Sequence, residues 1–403
     1  MQPKIYTLDE HYIPAEKIDP QAFYVIHKLR SHGHQAYLVG GSVRDLLLKQ
    51  RPKDFDISTS AKPEEVKKVF RNCILIGRRF RLAHIRFGRK VIEVATFRAG
   101  DVEEKELILR DNIWGSEEED VIRRDFTING LFYDPETQTI IDYVGGFNDL
   151  KKGILRTIGK PRLRFIQDPV RMIRLLKFRA RLDFEIDEET YLALTDCRKE
   201  IIKSSPARIL EELFRMLESG SAKKFFSLLH IHGMLEELLP YISYFMSSKE
   251  KAIKLLALLD KADEINLQNF PKVLKRSILC SCLVFPLYDF YLQNEYIDTH
   301  THIHLGKLAE EAKTTINEIF SPFLHMPRRL KAEMVSILIN QYRFIPLLEK
   351  KRKRNVRIPR DPFFSFALNF LALRTRIDES LLPIYEKWKK AFQVRKKPRR
   401  KHS

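Results

Sequence analysis

The sequence predicts an α+β protein, with a small mixed β-sheet near its N-terminus and helices in the remainder. Short apolar runs bounded by glycine or polar residues alternate with helical patterns up to about Thr157 or Ile158. From Arg162 onward, apolar residues recur at helical spacing, as in a packed bundle, and blocks of lysine and arginine follow. The predicted domains are an α/β domain at 1–158, helical domains at 159–220 and 221–345, and a basic region at 346–403.

The elements of the α/β domain are predicted from local signals. Pro20 favours the start of a first helix and Gly33 lies beyond its end. Residues 91–97 alternate between apolar and polar, so they predict a strand with Glu93 on the face opposite its apolar neighbours. The other predicted strands are 37–39, 54–57, 73–76, 139–142 and 154–157, the last two as a terminal pair, and the other predicted helices begin at Val43 and Pro63.

The helical part opens with residues 164–174, which the pattern predicts as one helical piece. Asp168, Arg171 and Arg174 are three apart and would therefore share one helix face. A salt-bridged exposed ridge would produce the same spacing. Residues 204–217 and the segments through about 321 continue as helices joined by polar links.

Composition limits the class of protein. The chain has 403 residues, 44% of them hydrophobic, and no apolar run approaches the roughly 20 residues of a membrane span. The N-terminus does not read as a secretory signal, and four cysteines without CxxC pairs read as reduced thiols, so we expect a cytoplasmic protein. A net charge of +19 favours a polyanionic partner.

A glycine pair after the strand at 37–39 predicts an anion-binding turn. Gly40 and Gly41 let backbone N–H groups approach an anion without a Cβ in the way. A helix follows, and helix N-termini favour phosphate. Arg44, in its first turns, is a planar cation suited to phosphate oxygens. An ordinary turn is the alternative interpretation of the pair.

Two aspartates on the next strand predict a divalent-metal site. Asp54 and Asp56 are two residues apart, so both project from one face, while Phe55 and Ile57 turn to the core. Adjacent carboxylates repel each other unless they are solvated or share cations, and hard Mg²⁺ is the natural choice. The alternative is an exposed strand end. Glu93 is an acid among apolar residues, and burying an unpaired charge is costly. The simplest interpretation is an outward-facing residue on a half-exposed sheet.

Further stretches contain candidate residues. The arginines of GRRFR fit triphosphate or RNA backbone, or else a solvated hairpin. RRDFTIN could be a capped helix start with Asp125 as its N-cap. Residues 98–120 predict a loop over the mouth of the site. The histidines of HTHIH suggest a metal site, but no further cluster of metal ligands lies near them in sequence, which argues against a metal role.

These segments together resemble the nucleotidyltransferase superfamily. GG-x-x-RD followed by DxD on the next strand is similar to the branch shared by bacterial poly(A) polymerases and class II tRNA CCA-adding enzymes. LIGRRFRLAHI matches, residue for residue, the segment that marks bacterial poly(A) polymerases within that branch. The resemblance is strong over about 10–187 and weak beyond, where Arg328-Arg329 and 359–370 match loosely.

The resemblance implies an architecture of head, neck, body and basic leg, and a role for each motif. Asp125 would bind the ribose hydroxyls and Arg124 would lie near the phosphates. Asp168 and Arg171 would read the adenine edge in place of a nucleic-acid template. The family motif there is E-D-x-x-R, and this chain departs from it at Gln167, which leaves the orientation of Arg171 in question.

The resemblance therefore implies three sets of site residues. The catalytic and metal-binding residues would be Asp54, Asp56 and Glu93. The nucleotide-binding residues would be Gly40, Gly41, Ser42, Arg44, Asp45, Arg124, Asp125, Asn129, Asp168, Arg171 and Arg174. The RNA-binding residues would be Arg78, Arg79, Arg81, Lys351, Arg352, Lys353, Arg354, Lys396, Lys397, Arg399 and Arg400.

The activity implied is template-independent addition of AMP from ATP to RNA 3′ ends, with two Mg²⁺ ions, in RNA polyadenylation, mRNA processing and decay. The first alternative is CCA addition to tRNA, against which GRRFRL argues. The second is a catalytically inactive RNA-binding protein, against which the presence of all three carboxylates argues.

Overall fold

The computed structural model describes residues 2–77, 82–99, 113–297, 304–346 and 357–396. The chain forms two compact units, 1–197 and 198–403. The first unit contains a mixed β-sheet with helices, and the described part of the second is helical. The α+β prediction is therefore confirmed. The finer division into four domains stays a prediction.

An eight-stranded sheet organises the first unit. Its strand order is β1-β10-β9-β2-β3-β6-β5-β4, and only the β3–β6 pairing is parallel. Two short pairs, β7–β8 and β11–β12, lie outside it. The strands are β1 Lys4–Tyr6, β2 Ala36–Val39, β3 Asp56–Thr59, β4 Cys73–Ile76, β5 Leu82–Phe87, β6 Lys90–Thr96, β7 Arg98–Ala99, β8 Ile113–Trp114, β9 Leu131–Asp134, β10 Thr139–Asp142, β11 Ile154–Leu155 and β12 Glu185–Ile186.

Helices of the first unit cover the sheet and follow it. Helix α2 begins at Pro20 with Asp19 as its N-cap, as the sequence predicts, and packs against β2 and β3. The helices are α1 Leu8–His11, α2 Pro20–Ser31, α3 Gly41–Leu47, α4 Pro63–Val69, α5 Glu117–Ile122, α6 Gly146–Lys152, α7 Pro161–Gln167, α8 Val170–Leu182 and α9 Glu188–Cys197.

The two faces of the sheet carry separate apolar clusters. Leu38, Ile57 and Val94 belong to the cluster that also includes buried residues of α2. Val39 belongs to the other cluster, formed with Phe97, Val121 and Phe132. Because side chains alternate along a strand, residues next to Ile57 and Val94 project toward the second face.

The helical prediction for 164–174 is wrong in one respect. Helix α7 ends at Gln167 and α8 begins at Val170, and Asp168 between them has φ −146° and ψ 86°. The residue before a proline is disfavoured in the α region, so Pro169 breaks the helix at Asp168. Asp168 therefore lies in the break rather than on a helix face with Arg171 and Arg174.

The predicted terminal pair of strands is also wrong. Strand β10 pairs with β9 and β1 in the large sheet, whereas β11 pairs in parallel with β12. Helix α6 separates β10 from β11, and Gly153 after it, at φ +68°, turns the chain away from the large sheet.

The second unit packs around helix α15, which includes a run of buried residues from Ser277 to Pro286. Helices α10, α14, α16, α17 and α18 all contact it. No helix in the described ranges is long and apolar enough to cross a membrane. The helices are α10 Pro206–Leu217, α11 Ala222–Ile231, α12 Met234–Leu238, α13 Pro240–Met246, α14 Lys249–Asn269, α15 Arg276–Leu292, α16 Leu305–Phe320, α17 Arg328–Phe344, α18 Phe364–Arg374 and α19 Leu382–Lys396.

Candidate active site

The candidate site begins at the turn between β2 and α3. Gly40 has φ +64° and ψ −122°, a conformation that glycine adopts at little cost. A Cβ at this position would lie 3.3 Å from Nη1 of Arg124. Helix α3 begins at Gly41, two residues before the predicted start at Val43. The glycine turn is therefore packed directly against an arginine from a distant part of the chain.

Strand register brings the acidic residues to the same place. Asp56 is the first residue of β3 and pairs with Val39, the residue before Gly40. Ile57 pairs with Val94 in the parallel β3–β6 ladder, so Glu93 is level with Asp56. Both carboxylates project to the face opposite Ile57 and Val94. Asp54 lies just outside the strand, which begins at Asp56.

The three carboxylates influence one another electrostatically. Burial and the negative charges of Glu93 and Asp54 together raise the pKa of Asp56 to about 6, while Arg124 opposes them. The strand register, which sets Glu93 level with Asp56 and Asp54 just before the same strand, accounts for these charge effects. The raised pKa means that an ionised Asp56 lacks sufficient positive charge around it.

The donor set fits a divalent cation in its chemistry. It consists of carboxylate oxygens, the ligands that Mg²⁺ prefers. Ionisation of Asp56 is made unfavourable by burial and by the neighbouring acids, and a bound cation would offset both effects. Within the described ranges, no three acidic, histidine or cysteine side chains are already gathered around one point. Glu93 is half-exposed, and its Oε1 lies 3.5 Å from Nε2 of His84 on the neighbouring strand. The acids are thus near each other without enclosing a common centre.

Arg124 joins the glycine turn to the acidic strand. Its Nη2 donates to Oδ2 of Asp120 at 2.7 Å and to Oγ of Ser58 at 3.0 Å. Its guanidinium lies 5.4 Å from the ring centre of Phe132. Asp120 and Ser58 are buried, so these contacts hold the cation in place beside Asp56.

A chain of polar contacts connects the GG-x-x-RD and RRD motifs. Arg44 is buried, and it donates to Oδ1 of Asp45 at 2.6 and 3.0 Å and to Oδ1 of Asn129 at 2.8 Å. Asn129 in turn donates to Oδ1 of Asp125 at 3.2 Å. Nη1 of Arg174 lies 3.7 Å from Oδ2 of Asp125. The structure thus brings five predicted nucleotide-binding residues into one network.

Asp125 is held ionised within this network. Burial raises its pKa, but Arg174, the hydrogen bond from Asn129, and Arg171 more than offset burial, so the net pKa is lowered. Asp125 is not the N-cap of an α-helix. A 3₁₀ turn at Thr127–Asn129 follows it, with Phe126 as its N-cap. A fixed carboxylate of this kind can accept hydrogen bonds from hydroxyl groups.

Contacts from the arginines of α7 and α8 fix the backbone before Asp125. Arg164 donates through Nη2 to the carbonyl oxygens of Arg123 and Arg124, at 2.6 and 2.9 Å. Arg171 donates to the carbonyl oxygens of Arg123 and Arg164, at 3.0 and 3.3 Å. Gln167, which departs from the family motif, accepts from Nη1 of Arg164 at 3.1 Å. Arg171 is therefore oriented at least in part by backbone carbonyls.

Some predicted residues are placed differently or lie outside the described ranges. The hydroxyl of Ser42 is buried and donates to the carbonyl of Val39 at 3.0 Å. Of the predicted loop at 98–120, α5 covers 117–122, and 100–112 lies outside the described ranges. The run HTHIH also lies outside them except for His304. Lys396 ends α19, and the remaining predicted RNA-binding residues lie outside: Arg78, Arg79, Arg81, Lys351, Arg352, Lys353, Arg354, Lys397, Arg399 and Arg400.

Sequence reasoning missed four residues that support the site: Ser58, His84, Asp120 and Arg164. Ser58 is two residues after Asp56 and therefore shares its face, a signal that strand alternation offered. Asp120 is four residues before Arg124, the spacing of an ion pair on a helix. Arg164 gave no signal, because its partners are backbone carbonyls about forty residues away in the chain.

The fold and this site define a nucleotidyltransferase: a mixed sheet with an aspartate pair, a third acid on the adjacent strand and a glycine turn beside them. Family models match the chain as "Poly A polymerase head domain" over 36–156, "Probable RNA and SrmB-binding site of polymerase A" over 183–246 and "Polymerase A arginine-rich C-terminus" over 308–403. The chain belongs to the poly(A) polymerase family.

Individual relatives agree with this assignment. The chain is 35% identical to poly(A) polymerase I of Escherichia coli over 99% of its own length and 88% of the relative. It is also 35% identical to the CCA-adding enzyme of Streptococcus gordonii, over 64% of the chain and 67% of that enzyme. The CCA-adding enzyme of Bacillus stearothermophilus, solved with CTP, superposes with a TM-score of 0.66 and 26% identity, covering 94% of this chain and 83% of that one.

Proposed function

We propose that the chain is a polynucleotide adenylyltransferase that adds AMP from ATP to RNA 3′ ends without a template and releases pyrophosphate. One observation supports this most: the strand register places Asp56 level with Glu93, with Asp54 just before the same strand, beside the Gly40 turn against which Arg124 packs. A poly(A) polymerase relative that aligns with 99% of the chain supports the choice of ATP and RNA.

The residues of the chain divide the work. Two Mg²⁺ ions held by Asp54, Asp56 and Glu93 would activate the 3′ hydroxyl and neutralise the triphosphate. The backbone N–H of Gly41 would contact the phosphates, since that of Gly40 donates to the carbonyl oxygen of Leu131 at 3.4 Å.

The remaining residues of the site would hold the nucleotide itself. Arg124 would neutralise phosphate charge from its fixed position on Ser58 and Asp120. Asp125, kept ionised by Arg174, would accept the ribose hydroxyls. Asp168 and Arg171 would read adenine.

RNA would be held mainly through its phosphates. The basic residues at 350–354 and 396–401 favour backbone contacts with little sequence preference. We also propose the head, neck, body and leg division at 1–158, 159–220, 221–345 and 346–403. The match to the head domain over 36–156 supports the first boundary, whereas the matches over 183–246 and 308–403 run across the boundaries at 220 and 345. Four buried free cysteines support a reducing compartment, the cytoplasm.

CCA addition to tRNA is the second candidate, because CCA-adding enzymes share both sequence and fold with the chain. One assay separates the candidates: purified protein with Mg²⁺, each nucleoside triphosphate separately, and either a generic RNA or a tRNA lacking its 3′ CCA. We expect AMP incorporation on generic RNA. Incorporation of CMP onto the trimmed tRNA at the same rate would favour CCA addition. RNA binding without any incorporation would indicate an inactive RNA-binding protein.

A further inference from the structure

Arg164 on α7 is buried to an unusual degree for a charged residue. It is 1% exposed, and its guanidinium is directed into the protein. Nη2 donates to the carbonyl oxygens of Ile122, Arg123 and Arg124, at 3.4, 2.6 and 2.9 Å. Nη1 donates to Oε1 of Gln167 at 3.1 Å. Burial and the neighbouring Arg171 lower the pKa of Arg164 to about 9. Burying a charged guanidinium costs free energy, so a functional role would explain why an arginine occupies this position.

The three carbonyls lie where helix α5 ends. The last carbonyls of a helix have no intrahelical donor, so a guanidinium can satisfy several of them at once. The chain then leads directly to Arg124 and Asp125. Arg124 extends from this backbone to Ser58 and Asp120, and Asp125 extends to Asn129 and Arg174.

We propose that Arg164 is a positioning residue for nucleotide binding: it clamps the backbone at 122–124 and thereby sets the positions of Arg124 and Asp125. The inference rests on the proposed function of the site. Arg171 donates to the same Arg123 carbonyl at 3.0 Å, so residues from two successive helices share the clamp. Arg164 itself is 1% exposed and lies behind this backbone, so it would act through Arg124 and Asp125.

The fork of donors in arginine is essential to this role. A lysine has a single nitrogen and cannot reach three carbonyls and Gln167 from one position. Arg164→Lys retains the positive charge and most of the aliphatic stem but loses the geometry of the clamp. Arg162 on the same helix provides a matched control, because it is 73% exposed and its nearest acid, Asp196, is 3.8 Å away.

The test compares wild-type protein, Arg164→Lys and Arg162→Lys. Equilibrium ATP binding in Mg²⁺, RNA binding and steady-state AMP incorporation are measured for each. For Arg164→Lys we expect ATP affinity to fall roughly 10-fold or more, with the KM for ATP rising in parallel, while RNA affinity and kcat stay within about 3-fold. Arg162→Lys should match wild type. A purely structural role would lower ATP affinity, RNA affinity, kcat and the melting temperature together.

A mutant cycle makes the test more specific. If Arg164 acts through Arg124 and Asp125, adding Arg164→Lys to a protein that already carries Arg124→Lys and Asp125→Asn should cost little further ATP affinity, because both positioned groups are already changed. Additive losses would show that Arg164 acts elsewhere and would overturn the proposal, as would unchanged ATP affinity in Arg164→Lys.

Two further outcomes are decisive. If wild type binds ATP but incorporates no AMP, the proposed function fails, while the effect of Arg164→Lys on ATP binding still decides the inference. If Arg164→Lys does not fold, hydrogen exchange on the wild-type protein decides it. The clamp predicts that ATP protects the amides of 117–123 and 162–165 together. ATP protection at neither segment, or at only one, would overturn the proposal.

Discussion

Asp56 concentrates the electrostatic conflict of the site in one side chain. Burial and two neighbouring acids raise its pKa to about 6, so its ionised form at neutral pH is held against an unfavourable free energy. Nothing in the geometry of β3 requires an acid there, since Ser58 occupies the same face without such a conflict. The conflict is therefore explained by function rather than by folding.

Replacing Asp56 with asparagine should separate stability from activity. A folded-state pKa above the unfolded value means that ionisation destabilises the fold as pH rises toward and beyond about 6. At neutral pH without divalent ions, Asp56→Asn should therefore raise the free energy of unfolding by up to about 2–3 kcal/mol. AMP incorporation should fall at least about 100-fold. Thermal melting and incorporation assays measure both effects.

The matched control is Asp196→Asn, whose side chain is 60% exposed. It should change neither quantity. Wild type should gain thermal stability on addition of Mg²⁺, and Asp56→Asn should gain less. Full activity in Asp56→Asn would remove this residue from the catalytic assignment.

Because Asp54 lies just outside strand β3, replacing it should affect the free energy of unfolding differently from replacing Asp56. Asp54→Ala should abolish AMP incorporation and leave RNA affinity near normal, since the proposed RNA contacts lie in the basic segments. Incorporation and filter binding measured on the same preparation test this. Persistent incorporation would show that the metal assignment is wrong.

At the scale of secondary-structure elements, single turns and helix ends determine how the parts of the site are placed. The glycine turn between β2 and α3 does two things: it reverses the chain at positive φ, and it makes room for Arg124. The sequence predicted the first from the glycine pair alone. It did not predict the second, because the packing partner comes from a motif far along the chain.

Gly40→Ala should therefore cost more than backbone strain. Gly88 has nearly the same φ, +63°, and a Cβ at Gly88 would have no neighbouring atom within 4 Å, so Gly88→Ala reports the strain of positive φ without a clash. We expect Gly88→Ala to lower stability by about 1 kcal/mol and to leave activity unchanged. Gly40→Ala should in addition raise the KM for ATP, because Arg124 must move. Equal effects of the two variants on the KM would contradict this role of the turn.

Asp263 in the second unit gives a pH-dependent helix cap. Its carboxylate accepts from the backbone N–H groups of Ala222 and Lys223, both at 2.9 Å, at the start of α11. Burial nevertheless raises its pKa to about 6. The stability that protonation of Asp263 contributes is present in full below the unfolded pKa and is lost as pH rises through about 6.

Between pH 5 and pH 7, wild type should thus lose about 1 kcal/mol of stability that Asp263→Asn retains. The asparagine can still accept one backbone hydrogen bond, so the cap is partly preserved. Urea unfolding of both proteins at the two pH values measures the difference. Parallel pH profiles would show that Asp263 does not titrate in this range.

For the molecule as a whole, the sequence predicted what depends on local pattern and missed what depends on long-range polar contacts. The helix beginning at Pro20, the strand at 73–76 and the switch to helices after the sheet all follow from periodicity and caps. The break at Asp168 could also have been predicted, because Pro169 disfavours a helical conformation at the residue before it. The helical spacing of the charges around it led instead to the prediction of a continuous helix. The pairing of β11 with β12 and the clamp of Arg164 required tertiary information.

The basic C-terminal segment belongs to the second unit, whereas the acidic site belongs to the first, so its role can be tested separately from catalysis. Arg395 donates to the carbonyls of Ile358 and Pro359, at 3.1 and 2.6 Å, so it anchors α19 and should not be removed in a test of RNA capture. A truncation after Lys396 removes four basic residues and spares this anchor. RNA affinity should fall, and the slope of log affinity against log salt should flatten by up to about 3.

Substituting glutamine for Lys397, Arg399, Arg400 and Lys401 keeps the length and removes the same charge, so it should reproduce the truncation. The kcat at saturating RNA should stay at the wild-type value in both, because the acids, the glycine turn and the arginine clamp all lie in the other unit. Arg395→Ala, by contrast, should lower the melting temperature with little change in the salt slope. If affinity at low salt is the same with and without these four charges, RNA must be held elsewhere, and the basic residues at 350–354 become the next segment to neutralise.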